Sequence, residues 1–146
     1  AVFITAFQMQ MSNKLMEIIF GGKLETHPEL KVVIGESGIG WIPYILQHMD
    51  LEWEDQFKDL TLTMKPSEYW YRQCYATFQS DPVGMEMVSH LGENNIMWGS
   101  DFPSEHWLGE KCSYVLHLQL ILEALELSAG EREAILGGTP MRIWFG

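Results

Sequence analysis

The sequence predicts an α/β fold around a short parallel sheet, and three observations predict it. Three short apolar runs alternate with stretches of helical spacing, the pattern of consecutive βαβ units. The clearest of them, Leu-Lys-Val-Val-Ile-Gly from Leu30, is too apolar to alternate between a wet and a dry face, as strands covered on both faces are. Each run is followed by a polar loop holding a serine and an acidic residue: Glu36-Ser37, Ser80-Asp81 and Ser100-Asp101.

The elements follow in order. Phe7, Met11, Leu15, Ile18 and Ile19 fall on one face of a helix over 7–20, which Gly21 and Gly22 should end. His27-Pro28 marks a turn, and the first strand is expected over about 30–36. After the loop holding Ser37, Gly38 and Gly40, helical spacing returns over 41–60 through Ile45, His48, Met49 and Glu52. Lys65-Pro66-Ser67 reads as a helix start, and the second strand is expected over about 73–78. Asp81 then stands as N-cap with Pro82 at the first helical position of a helix through His90. Gly92-Glu93-Asn94 breaks it, and the third strand is expected over about 95–99. A loop over 100–107 leads to a long helix over about 110–127. Ser128 with Glu131 forms a capping box for a last helix, expected to end at Gly137-Gly138.

With 146 residues, 47% of them hydrophobic, the chain can bury a core, and no linker or low-complexity stretch divides it. A single unit over 1–146 is expected. Three strands are few for a sheet covered on both faces, so the pattern looks like consecutive units of a larger α/β fold. The start, Ala1-Val2-Phe3, has no Met and runs straight into an amphipathic pattern. A processed start, or the back part of something larger, accounts for it.

Twenty acidic against nine basic side chains give a net charge of −11, which argues against nucleic acid as a partner. The longest apolar runs, such as 114–122, fall short of the roughly 20 residues that span a bilayer, and no secretory leader is visible, so no membrane association is expected. Cys74 and Cys112 form no CxxC, and reduced thiols in the cytoplasm are the simpler expectation.

In parallel α/β folds ligands gather at the C-terminal ends of the strands. Two carboxylates, Glu36 and Asp101, stand at equivalent strand ends. A glutamate at the mouth of an apolar strand is costly unless paired or functional. Asp101, from position alone, reads equally as a turn aspartate. His106 and Trp107 share the third mouth, His106 as a substrate contact or a solvated loop histidine, Trp107 as core packing or a substrate platform. His27 reads as structural, and His48, His90 and His117 as side chains at helix surfaces. No two of the five histidines stand at HxH or HxxxH spacing, so a self-contained zinc site is not expected. No GxGxxG or GxxxxGK is present, which argues against dinucleotide and P-loop sites. Both cysteines read as inert buried thiols. Without more, Glu36 and Asp101 could serve as the acid and nucleophile of a carboxylate-pair hydrolase.

Four segments, LKVVIGESGIGWIPYILQHMD, CYATFQSDPVG, NIMWGSDFP and AILGGTPMRIWFG, together resemble the amidohydrolase-related family. The family includes metal-dependent decarboxylases similar to aminocarboxymuconate semialdehyde decarboxylase. The resemblance implies the C-terminal portion of a (β/α)8 barrel, with these strands as its sixth, seventh and eighth. It implies a divalent metal, usually zinc, held by an HxH pair after the first strand, a His after the fifth and an Asp after the eighth. Asp101 matches that Asp, which makes it a metal ligand and a general-base or water-orienting carboxylate. Glu36 stands where decarboxylase-like members carry a histidine, which leaves it as an acid–base group or substrate contact. The other ligands would lie upstream, so this chain alone is expected to lack the complete site. What remains implied is hydrolysis or non-oxidative decarboxylation of a small molecule by the intact parent, with the missing N-terminal part of the barrel, or a second copy, covering the open faces. A self-associating α/β binding module is the alternative.

Overall fold

The computed structural model describes residues 1–100 and 127–146. Three parallel strands, β1 (Val32–Ile34), β2 (Cys74–Phe78) and β3 (Ile96–Trp98), form a sheet in the order β1-β2-β3. Val32 pairs with Cys74 and Ile34 with Ala76, while Ala76 pairs with Ile96 and Phe78 with Trp98, so all three strands end at the same side. The sheet and its covering helices are consecutive β–α units, as the sequence pattern predicts.

Helix α1 (Val2–Phe20) starts earlier than its apolar stripe predicts, and only its second half is covered. Leu15 and Ile19 are fully buried, whereas Phe7, expected on the core face, is 54% exposed. Gly22 closes the helix at φ 68, a left-handed position that suits glycine, and the single turn α2 (Lys23–Thr26) follows.

The first strand is shorter than the expected 30–36. Ahead of it, the Gln73 side-chain amide donates to the carbonyls of His27 and Leu30, so Leu30 serves the turn. Behind it, Glu36 takes φ 56 and leaves the strand conformation. Helix α3 (Ile42–Asp55) stops short of Leu60, and the chain turns so that the Phe57 ring meets Phe20 edge-on at 6.2 Å. Helix α4 (Pro66–Gln73) begins where Pro66 suggested, with the Glu68 carboxylate accepting from the Lys65 N–H at 2.8 Å. Gln73 is its last residue and not the first of β2.

The helix expected through His90 is two pieces, α5 (Pro82–Glu86) and α6 (Val88–Leu91). Across the break at Met87 both pieces face inward: Gly84 is buried, and Met85, Val88 and Leu91 all enter the core. At the C-terminus the Ser128–Glu131 capping box opens Ala129–Glu133, but the chain does not stop at Gly137-Gly138. It widens into a π-turn over Ala134–Gly138 and continues helically over Thr139–Trp144. Pro140 cannot donate to the turn behind it, and a widened turn absorbs that missing bond.

The core runs between sheet and helices through Tyr69, Trp70, Ile39, Phe78, Ile96 and Ile135. No helix among the described residues is long and apolar enough to cross a membrane.

Candidate functional site

The parallel strands bring the C-terminal ends of β1, β2 and β3 to one side of the sheet. Glu36 lies at the end of β1 and is exposed, so the desolvation expected for it at an apolar strand mouth does not arise. Its backbone N–H donates to Thr77 Oγ1 on β2 at 3.2 Å. Its carboxylate makes no hydrogen bond or ion pair among the described residues, which leaves it able to meet a ligand. A non-glycine residue at positive φ is uncommon, and such strain concentrates at functional positions.

Next to it, Ser37 is buried, and the Trp41 indole N–H donates to its carbonyl at 2.9 Å. The Ser37 hydroxyl itself is buried without a hydrogen-bond partner among the described residues. A native buried polar atom of that kind points to a water or ligand atom, or to a stored cost.

Asp81 does more than cap α5. One carboxylate oxygen accepts from the Gly84 N–H at 2.9 Å, while the other reaches back to the N–H groups of Ile39 at 2.7 Å and Gly40 at 2.8 Å. The capping role was readable from Asp-Pro in the sequence; the bridge was not, because nothing local signals a partner some forty positions away. On the next strand, the Trp98 indole donates to the Gln79 carbonyl at 3.1 Å, and the Gly99 N–H to Phe78 at 2.9 Å. Asp101, His106 and Trp107 lie outside the described residues, as does Cys112.

The other reactive side chains are placed elsewhere. Burial raises the Cys74 thiol to about 12, so it is protonated and unreactive near neutral pH. His27 stands 3.6 Å from Glu29, and His48 stands 3.7 Å from Glu52 and stacks on Tyr44, both at half-exposed helix or turn surfaces. Among the described residues no three His, Cys, Asp or Glu side chains come together as a metal site. The donors described at the mouth do not fit a metal by themselves.

A family model described as amidohydrolase matches residues 8–146. The chain belongs to the amidohydrolase family. No curated protein matches it. Among solved structures, it is similar to 5-carboxyvanillate decarboxylase from Sphingomonas paucimobilis, with a TM-score of 0.73 at 22% identity over 94% of this chain and 40% of that one. A dihydroxybenzoic acid decarboxylase from Polaromonas sp. JS666, solved with manganese and the inhibitor 2-nitroresorcinol, gives 0.70 at 17% identity over 94% and 40%. A 2,6-dihydroxybenzoate decarboxylase in complex with 2,6-dihydroxybenzoate gives 0.70 at 16% over 94% and 41%. The amidohydrolase-family chain thus spans about two fifths of the length of these solved chains, and at these identities the likeness is one of fold.

Proposed function

We propose that this chain is the C-terminal part of a metal-dependent amidohydrolase-family enzyme that decarboxylates or hydrolyses a small carboxylate or carbonyl compound. The observation that carries the proposal is Glu36. It is a carboxylate at the C-terminal end of a barrel strand, exposed, unpaired among the described residues, and held at φ 56. The three decarboxylase neighbours favour decarboxylation, and the compounds they are named for favour a hydroxylated or methoxylated benzoate.

The chemistry gives Glu36 a role. When a carboxylate leaves as carbon dioxide, the bond to its carbon breaks and a proton must take its place on that carbon. A carboxyl group held at the strand end can carry that proton; in hydrolysis the same group takes one from water. Asp101 is proposed as the metal ligand, with His106 and Trp107 contacting the substrate. A divalent ion bound there would polarise the substrate's oxygen atoms. Zinc is the family expectation, and the neighbour with manganese makes that ion an equal candidate.

The remaining ligands would come from the upstream part of the barrel. Val2 and Phe3 on α1, and Trp144 and Phe145 at the other terminus, are more than half exposed, which supports further protein covering them. A cytoplasmic location belongs to the same proposal, on two cysteines without framework spacing.

The test uses the full-length protein carrying this sequence, freed of metal and reloaded with manganese or zinc, with 2,6-dihydroxybenzoate as substrate. Carbon dioxide release that needs the metal and is lost in Asp101→Asn supports the proposal. Ester or amide cleavage without carbon dioxide moves the assignment to hydrolysis. Neither activity, with a stable dimer of the isolated chain, favours the self-associating module.

A further inference from the structure

The loop that carries Glu36 is fixed from both sides, and one carboxylate does half of the fixing. Upstream, Ile34 sits in the ladder with Ala76, and the Glu36 N–H is held by Thr77. Downstream, Ile39 and Gly40 both donate to the same oxygen of Asp81. An ordinary N-cap needs only the bond to its own helix, here from Gly84. The two bonds to the β1 loop are additional to capping.

Three glycines let the backbones close around that carboxylate. A Cβ at Gly84 would stand 2.4 Å from Ile39 Cγ1 and 2.8 Å from the Gly40 nitrogen. A Cβ at Gly40 would meet Asp81 Oδ1 at 3.2 Å, and one at Gly38 would meet Oδ2 at 3.1 Å, with Gly38 already at φ 66. Loop and clamp are therefore matched in shape, and neither can shift far without the other. A strained residue such as Glu36 persists only where its surroundings over-determine it, and these contacts are those surroundings.

We infer that Asp81 is a positioning residue: its bridge from α5 to the β1 loop holds the Glu36 carboxylate at the strand end. The inference rests on the proposed role of Glu36, and its test separates the two. In the full-length enzyme, kcat and KM are measured for Asp81→Ala, Glu36→Gln and the double variant. Misplacing a reacting group is costly, so Asp81→Ala lowers kcat about 10- to 100-fold with a smaller change in KM. In the Glu36→Gln background the same change costs less than about threefold, because the group it positions is already gone.

An equal loss in both backgrounds, or an unchanged kcat in Asp81→Ala, overturns the inference while leaving Glu36 its role. An unchanged kcat in Glu36→Gln removes that role and the inference with it. If Asp81→Ala does not fold, Asp81→Ser, whose shorter side chain can still cap α5 but does not extend to Ile39 and Gly40, takes its place in the same cycle. A second measurement needs no substrate. Amide exchange at Ile39 and Gly40 speeds at least about tenfold in Asp81→Ala or Asp81→Ser while β2 amides keep their protection. Unchanged protection of Ile39 and Gly40 overturns the clamp whatever the activity shows.

Discussion

The two ends of the sheet use polar groups in opposite ways. At the N-terminal end the buried polar groups of α4, β2 and β3 are answered, although the Trp53 indole N–H and the Thr139 hydroxyl are also buried without a partner among the described residues. The Asn95 amide donates to the carbonyls of Trp70 and Tyr71 at 3.1 Å and of Cys74 at 2.9 Å, and the Trp70 indole donates to Leu91 at 2.8 Å. The Tyr69 hydroxyl donates to Glu25, which also accepts from Thr63, and the Arg72 guanidinium lies over the Tyr69 ring. At the C-terminal end a carboxylate is left exposed, its backbone is strained, and a buried serine hydroxyl has no partner among the described residues. One end closes the structure, and the other keeps groups available. That is the division a (β/α)8 barrel makes between its stable and its reactive face.

The contrast can be broken from the closed end first. Trp70 is fully buried, and Trp70→Ala should cost about 3–5 kcal/mol in denaturant unfolding through lost contacts and the cavity left behind. A cost near zero would mean that α4 does not anchor the core. Asn95→Ala takes a donor from three carbonyls, of which that of Trp70 keeps the Cys74 N–H, and should cost about 2–3 kcal/mol, read the same way. An activity loss larger than the unfolded fraction explains would blur the division between the ends.

The Glu25 pair gives a pH signature. Hydrogen bonds from Tyr69 and then Thr63 hold the Glu25 carboxyl below its ordinary 4.5. Its contribution is therefore complete above 4.5 and is lost as the pH falls through the lower folded value. Burial first, and the bond to Glu25 second, push the Tyr69 hydroxyl above its ordinary 10.0, so its contribution is lost as the pH rises beyond that point. Glu25→Gln should flatten the acid arm of the urea midpoint plotted against pH. An unchanged acid slope would show that the bond adds nothing to stability.

The sequence carried the strands and caps well and the cross-links poorly. Cys74–Phe78, Asp81-Pro82 and Ser128 with Glu131 are local signals of apolar run, cap and capping box, and each lies where its chemistry suggested. The first strand is shorter than its apolar run predicts because Leu30 is claimed by Gln73, a residue far along the chain. The last helix is longer than Gly137-Gly138, which reads as a stop, predicts, because packing against β3 keeps the chain winding past it. At the site, Glu36 was legible as a charge at a strand end, but its left-handed backbone and the Asp81 bridge were not. Both depend on the approach of two loops, which no local pattern encodes.

The central claim is that the C-terminal strand end gives up stability to hold a reactive carboxylate. Glu36→Gly tests it most directly, because glycine takes φ 56 without strain and removes the carboxylate in one step. Thermal or urea unfolding and turnover are measured on the same full-length preparation. The account predicts a variant more stable by about 1 kcal/mol and deprived of turnover. A Glu36→Gly enzyme that keeps wild-type turnover, or one that is destabilised, would contradict it.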